Sequence, residues 1–260
     1  MKPRDLGVRF AEADARERLR AIADVGTFRE LAGPFARLTS PHLAAQGLVA
    51  QSDDGVVVGR GRLDGADVSL AAMTGEFLGG SLGEVGGAKI AAVLERAVDG
   101  AVLVLDSGGI RLQEANLGIL AVAEICDAIV ALRERAPVIA VVAGRVGDYG
   151  GMAIALTLCS HIVTSEVARM GLNGPQVIEQ EAGADEFDAS NRVLIWRTTG
   201  GERRVTQGHA DVLARDSCSE IAADVRRVFA LPRNARRTSV ERLRPIVDAA
   251  AATATITRHA

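Results

Sequence analysis

The stretch AVLVLDSGGIRLQEANLGILAVAEICDAIVALRER, residues 101–135, decides the fold. Its first six residues are apolar and β-branched up to Asp106, the pattern of a strand buried on both faces. From Glu114 onward the chain is long, apolar almost all round and free of proline, which predicts a mostly buried helix to Arg135. Ser107, Gly108 and Gly109 join the two, and a helix is expected to open at once with Arg111, Gln113 and Glu114 in its first turn. A plain strand-to-helix turn needs one small residue. Two adjacent glycines imply that something must come close to the backbone there.

Working outward, PVIAVVAG (137–144) predicts the next strand, GRVGDYGG (144–151) a glycine loop, residues 152–159 a helix and HIVTS (161–165) a third strand. Strand, helix, strand, helix, strand is the order of a parallel sheet with right-handed crossovers. Upstream, GVVVGRGRL and ADVSLAAM flank Asp64-Gly65, a strong hairpin signal. The segment GGSLGEVGGAKIAAVLERAVDG (79–100) predicts a glycine-rich loop and then a helix to about Val98. Residues from about 11 to 25 are expected to be helical, with many charges and few apolar anchors, and 26–51 form a wandering arm. The whole chain is expected to be one α/β domain over 1–260, with an N-terminal arm over about 1–50. A helical tail over about 217–260 includes the basic run LPRNARRTS.

Composition narrows the functions. The 260 residues are 48% hydrophobic, 24% charged and only 3% aromatic, so the core must be built from Ala, Val, Ile and Leu. Few aromatic faces and a net charge of −3 argue against nucleic acid as partner. The longest apolar runs are too short for a bilayer, and the charged first twenty residues lack a signal-peptide core, so a cytoplasmic location is expected, with no membrane partner. Cys126, Cys159 and Cys218 lack metal-ligand spacing, and no metal is expected. Lys occurs only at positions 2 and 89, so nearly all positive charge is Arg. A coding bias explains this more simply than a dedicated set of phosphate-binding arginines.

The pairs Gly108-Gly109 and Gly150-Gly151 each follow a predicted strand. Adjacent parallel strands would set these turns side by side, where N–H groups from both can converge on one oxygen. That is an oxyanion hole, with glycine needed because a Cβ would block the approach. Tight turns with no ligand explain the pairs about equally well. A third cluster, Gly79-Gly80-Ser81 with Gly83, lacks the Lys and Ser/Thr of a phosphate-binding P-loop.

These residues carry a resemblance. DSGGIRLQEA resembles the SGGAR-MQE signature of the carboxyltransferase subunits of acyl-CoA carboxylases, GEFLGGSLGEVGGAKI their F-x-GGS-x-G loop and GLNGPQVIEQ their G-P-x-V-I-E-Q segment. YGGMAIALTLCSHIVTS is similar to the crotonase superfamily pattern of a glycine pair opening a helix before a strand. TFRELAGPFARLTSPHLAAQGLVAQSDDGVVVGRG and NGPQVIEQEAGADEFDASNRVLIWRTTGGERR extend the likeness, most closely to the β subunits of malonate decarboxylases. The resemblance implies a crotonase-like spiral of ββα units, of carboxyltransferase type. It implies a decarboxylase core shared with a γ subunit, an acyl carrier subunit and an acyl-carrier transferase subunit. The substrate would be a malonyl thioester on the carrier's phosphoribosyl-dephospho-CoA arm, with no cofactor bound by this chain directly. The alternative is a carboxyltransferase subunit of a biotin-dependent acyl-CoA carboxylase or decarboxylase. The four-cysteine zinc ribbon of bacterial acetyl-CoA carboxylase β subunits is missing from this sequence.

On that reading Gly108, Gly109, Gly150 and Gly151 are the catalytic residues: N–H groups near Gly109 and Gly151 hold the oxyanion, and Gly108 and Gly150 shape the turns. Gly80, Ser81, Ser107 and Tyr149 are the substrate-binding candidates. Ser107 is equally suited to capping the next helix, and Tyr149 to packing against one. Arg111, Gln113 and Glu114 either face the carrier arm or form structural ion pairs. His161 fits a structural role better than a catalytic one, Trp196 a core or interface role. Asn173-Gly174-Pro175 is expected to turn into a helix whose Glu179 and Gln180 meet the partner.

Overall fold

The computed structural model describes residues 8–232 and Arg244. In chain order the helices are α1 Ala15–Ile22, α2 Pro41–Ala45, α3 Glu84–Glu95, α4 Asn116–Arg133, α5 Gly151–Leu158, α6 Pro175–Ala182, α7 Arg192–Thr199, α8 Gly201–Thr206 and α9 Cys218–Phe229. The strands are β1 Arg29–Leu31, β2 Val56–Leu63, β3 Ala66–Met73, β4 Gly100–Leu105, β5 Val138–Val142, β6 Asp148–Tyr149, β7 His161–Ser165, β8 Met170–Gly171 and β9 Val212–Ala214.

Seven strands form one sheet in the order β1-β2-β3-β4-β5-β7-β9, and β6 pairs with β8 in a small second sheet. The predicted hairpin is present in register, Val56 opposite Met73 through Leu63 opposite Ala66. Asp64 and Gly65 both take positive φ, +50° and +85°, as a two-residue hairpin turn requires. From β3 to β9 every neighbouring pair is parallel. Two successive units follow one plan: a strand of the large sheet, a short strand of the small one, then a helix, as in β5–β6–α5 and β7–β8–α6. This is the ββα spiral of a crotonase-like α/β fold.

The alternation of β4 explains the two-sided core. Ala101, Leu103 and Leu105 face α3, α4 and α5, while Val102 and Val104 face α1 and α9. Every residue of β4, β5 and β7 is buried, as strands covered by helices on both faces must be.

Three expectations need correction. The few apolar anchors near the N-terminus are core residues: Phe10, Leu19 and Ile22 are completely buried. That segment is therefore part of the packed domain. No long helix opens at Arg111. A single 3-10 turn, Leu112–Glu114, ends at Ala115 (φ +49°, ψ −125°), and α4 starts at Asn116. The arm over 26–51 is not featureless; β1 pairs with β2 through Arg29–Arg60. In the tail, α9 is helical to Phe229 and docks with Ile221, Val225 and Val228 inward. Most of the basic run 231–239 and the tail beyond it lie outside the described residues.

Candidate active site

The two glycine turns meet at the carboxyl end of the parallel strands. Ser107 bridges Asp148 in parallel fashion: its N–H donates to Gly147 O at 2.7 Å and its C=O accepts from Tyr149 N–H at 2.9 Å. The result is near-contact of two backbones. A Cβ on Gly150 would lie 2.9 Å from Gly109 Cα, and Gly150 has φ +65°. Gly109 sits at φ +119°, where an L side chain is strained. Both positions require glycine for shape before any ligand is considered.

Not every N–H of these turns is free. Gly108 N–H donates to Gly79 O at 2.9 Å and Gly150 N–H to Leu172 O at 2.8 Å. Gly109 N–H donates to Ser107 Oγ at 3.1 Å. Ser107 is fully buried and clamps its own turn instead of capping a helix. The N–H groups of Ile110 and Gly151 have no acceptor among the described residues. The two residues are neighbours: a Cβ on Gly151 would lie 3.3 Å from Ile110 Cγ2. Gly151 is also the first residue of α5, at the positive end of the helix dipole.

The remaining candidates separate. Gly80 (φ +67°) lets the loop pass against the end of β4; a Cβ there would be 2.0 Å from Asp106 O. Ser81 Oγ is buried without a partner, and Ser81 O accepts from Arg111 Nη2 at 3.1 Å. Tyr149 is 6% exposed and its phenol oxygen is unpartnered. Arg111 and Glu114 are structural: both side chains are buried and joined at 2.9 Å. Arg111 Nη1 also reaches both Asp54 oxygens, and its guanidinium lies over the Phe77 ring. Glu114 Oε2 accepts from Glu84 N–H at 2.6 Å, which caps α3. Gln113 is exposed, and its C=O accepts from Gln46. His161 is buried in β7. Asn173 and Gly174 lead into α6 with Pro175 at its first turn, as expected. Glu179 Oε2 accepts from Ala189 N–H at 2.6 Å, and Gln180 is exposed. Trp196 is half-buried at a surface cavity.

Two carboxyls escaped the sequence reading. Asp106 closes β4, and its Oδ2 takes a bond from buried Arg18 at 2.8 Å. Its Oδ1 accepts from Val146 and Gly147 N–H groups, at 2.9 and 3.2 Å. It thereby ties α1, β4 and the loop after β5 into one unit beneath the glycine turns. The signal was the polar residue at the end of an apolar strand, facing Gly144, where a Cβ would fall 2.0 Å from Asp106 Cγ. Asp148 is completely buried, and neither of its carboxyl oxygens has a hydrogen-bond partner. Burial, and then the nearby Asp106 charge, push its pKa well above the usual carboxyl range. Both effects favour the neutral form of the Asp148 carboxyl, two residues before Gly150.

The arrangement offers two free backbone donors at a sheet end, held by buried ion pairs. Negative charge developing on an oxygen placed between them would be stabilised. Among the described residues no cluster of His, Cys, Asp and Glu is arranged to hold a metal ion, and no helix is long and apolar enough to cross a membrane.

Comparison with known proteins agrees with this architecture. Residues 12–255 match the carboxyl transferase domain family. The malonyl-S-ACP:biotin-protein carboxyltransferase of Malonomonas rubra is 42% identical over 226 residues, 80% of this chain and 71% of that protein. A chain of a Pseudomonas malonate decarboxylase hetero-tetramer solved with malonate superposes with a TM-score of 0.88 at 50% identity, covering 93% of this chain and 90% of that one. A chain of the Pseudomonas malonate decarboxylase MdcD–MdcE hetero-dimer gives a TM-score of 0.77 at 45% identity, covering 96% and 100%.

Proposed function

The chain belongs to the carboxyl transferase domain family, and from that premise we propose that it is the β subunit of a malonate decarboxylase. With a γ subunit it decarboxylates malonyl-S-acyl-carrier protein to acetyl-S-acyl-carrier protein and CO2. The observation that carries this reading is the pair of free N–H groups, Ile110 and Gly151, at the junction of the two glycine turns. Loss of CO2 from a malonyl thioester moves the electrons of the breaking C–C bond toward the thioester carbonyl. The oxygen gains charge as the enolate forms, and each donor aimed at it lowers the barrier by roughly 3–4 kcal/mol. The enolate carbon then takes a proton, from water or from a group on the partner subunit.

The arm of the carrier, a phosphoribosyl-dephospho-CoA group, presents the acyl group to this hole. Gly80 and Ser81 border it by resemblance, Ser107 holds the turn and Tyr149 stands beside it. Ile154 and Leu172, 51% and 61% exposed, flank one apolar pocket next to Gly150 and suit burial against the γ subunit. The acyl-carrier transferase subunit would recharge the carrier, and the assembly works in the cytoplasm. Among the relatives, the solved Pseudomonas assemblies favour this reading.

A second reading is favoured by the Malonomonas rubra relative, named for transfer to a biotin protein. In it the same hole stabilises the same enolate, and the carboxyl group passes to biotin. Reconstitution separates the two. The chain, co-expressed with its γ and carrier partners, is supplied with malonyl-carrier thioester, with and without avidin. Stoichiometric CO2 with no biotinylated component and no effect of avidin supports the decarboxylase. CO2 release that avidin abolishes, or that requires a biotinylated protein, makes this a carboxyltransferase subunit.

A further inference from the structure

A cavity of about 500 Å³ opens at the carboxyl end of β5 and β7, apart from the glycine turns. Four arginines line it: Arg9, Arg145 on the loop after β5, Arg169 just before β8, and Arg192 at the start of α7. Glu12 is the one acid among the lining residues, and the chain's only tryptophan, Trp196, forms part of the wall.

Two of the arginines are neutralised. Arg9 pairs with Asp216 at 2.7 Å and with Glu12 at 3.4 Å, and Arg145 reaches Glu12 at 3.5 Å. The other two are not. Arg169 donates from Nη2 to the Arg145 carbonyl at 3.1 Å and meets no carboxylate among the described residues. Arg192 has neither an ion pair nor a side-chain hydrogen bond among the described residues. A cavity holding two uncompensated guanidinium forks selects an anion with several oxygens, and guanidinium geometry matches phosphate. The indole adds a flat apolar face suited to a planar ring. The volume fits a small-molecule ligand, and this end of a parallel sheet is where α/β folds bind theirs.

We propose that this cavity binds a phosphate-bearing nucleotide, its phosphates on Arg169 and Arg192 and its base on Trp196. The same chemistry could arrive as a free nucleotide or as the nucleotide end of an arm carried by a protein. The inference stands on this cavity alone and is read out by binding, so it fails or survives independently of the proposed decarboxylation.

Trp196 supplies the probe. The full-length chain is titrated with ADP, adenosine and inorganic phosphate while indole fluorescence is followed, and ADP binding is checked by equilibrium dialysis. ADP is expected to give saturable quenching, with a midpoint at least about tenfold lower than that of adenosine or phosphate. Combining Arg169→Gln with Arg192→Gln should raise the ADP midpoint by about tenfold or more, with the melting temperature unchanged. Arg135→Gln, at the opposite end of the sheet, should leave it where it was. Trp196→Phe keeps a stacking face and should retain binding in dialysis while the signal disappears. Absence of saturation up to about 5 mM ADP, an unshifted midpoint in the double variant, or equal affinity for adenosine would each overturn the proposal. Displacement of bound ADP by a carrier protein bearing a nucleotide-ended arm assigns the site to the arm. Retention of ADP in its presence assigns it to a free nucleotide.

Discussion

Asp148 is a completely buried carboxyl at the candidate site with no hydrogen-bond partner on either oxygen. The folded protein therefore holds it protonated at a pH where the unfolded chain ionises it. Between the unfolded value, about 4, and the raised folded value, the native state binds more protons, so stability falls as pH rises through that window. Below the unfolded value the penalty vanishes. Asp148→Asn keeps the shape and removes the ionisable group. Its melting temperature should exceed that of the parent at pH 8 and match it near pH 4; a parallel offset at both would refute this assignment. Doubling of glycine at 108–109 and 150–151 was visible in the sequence, and the positive φ of Gly109 and Gly150 gives it a physical reason. Which amides stay free was not visible. That depends on Ser107 Oγ folding back onto Gly109 within its own turn and on Leu172 O reaching Gly150 from a separate segment, a contact that no local pattern encodes.

At the scale of elements, Arg111 joins three segments: the turn at Asp54, the loop at Ser81 and the 3-10 turn ending at Glu114. Breaking a buried ion pair by removing one partner leaves uncompensated charge and costs about 3–5 kcal/mol. Arg111→Ala should lose stability on that scale in urea unfolding, with Asp54 and Glu114 left stranded. A change under about 1 kcal/mol would show that the pair is not held as described. The elements found from sequence were those with strong periodicity: the hairpin β2–β3, the buried strands β4, β5 and β7, and helices α3, α4 and α5. The strands missed were β1, β6, β8 and β9, each two or three residues long, and the short helices α2, α7 and α8 were missed with them. A strand that short has no alternation to detect, and its existence is decided by its neighbour. The 3-10 turn at Leu112–Glu114 was hidden for a related reason, since Arg111 and Glu114 are good helix formers locked into a tighter turn by Asp54 and Glu84.

For the whole molecule, the fold leaves Ile154 on α5 and Leu172 after β8 exposed beside the glycine turns. If the γ subunit covers them, changing both to Glu should abolish co-purification of the partner while the melting temperature of the isolated chain stays within about 2 °C. Retained assembly would move the interface elsewhere. The global architecture followed from sequence because alternating strands and helices admit few topologies. Docking of α1 through Arg18 and Asp106 did not, because a buried arginine in a charged helix looks like any solvated one.

On the proposed function, the joined glycine turns stabilise an oxyanion. The most direct measurement is the steady-state rate of CO2 release from malonyl-carrier thioester by the reconstituted complex carrying Gly151→Ala. The added methyl falls 2.9 Å from Val122 Cγ2 and 3.3 Å from Ile110 Cγ2, so it shifts the two donors relative to each other. The expected kcat is lower by about 10²–10³-fold, with assembly intact and KM little changed. An assembled Gly151→Ala complex that turns over at the parent rate would contradict it.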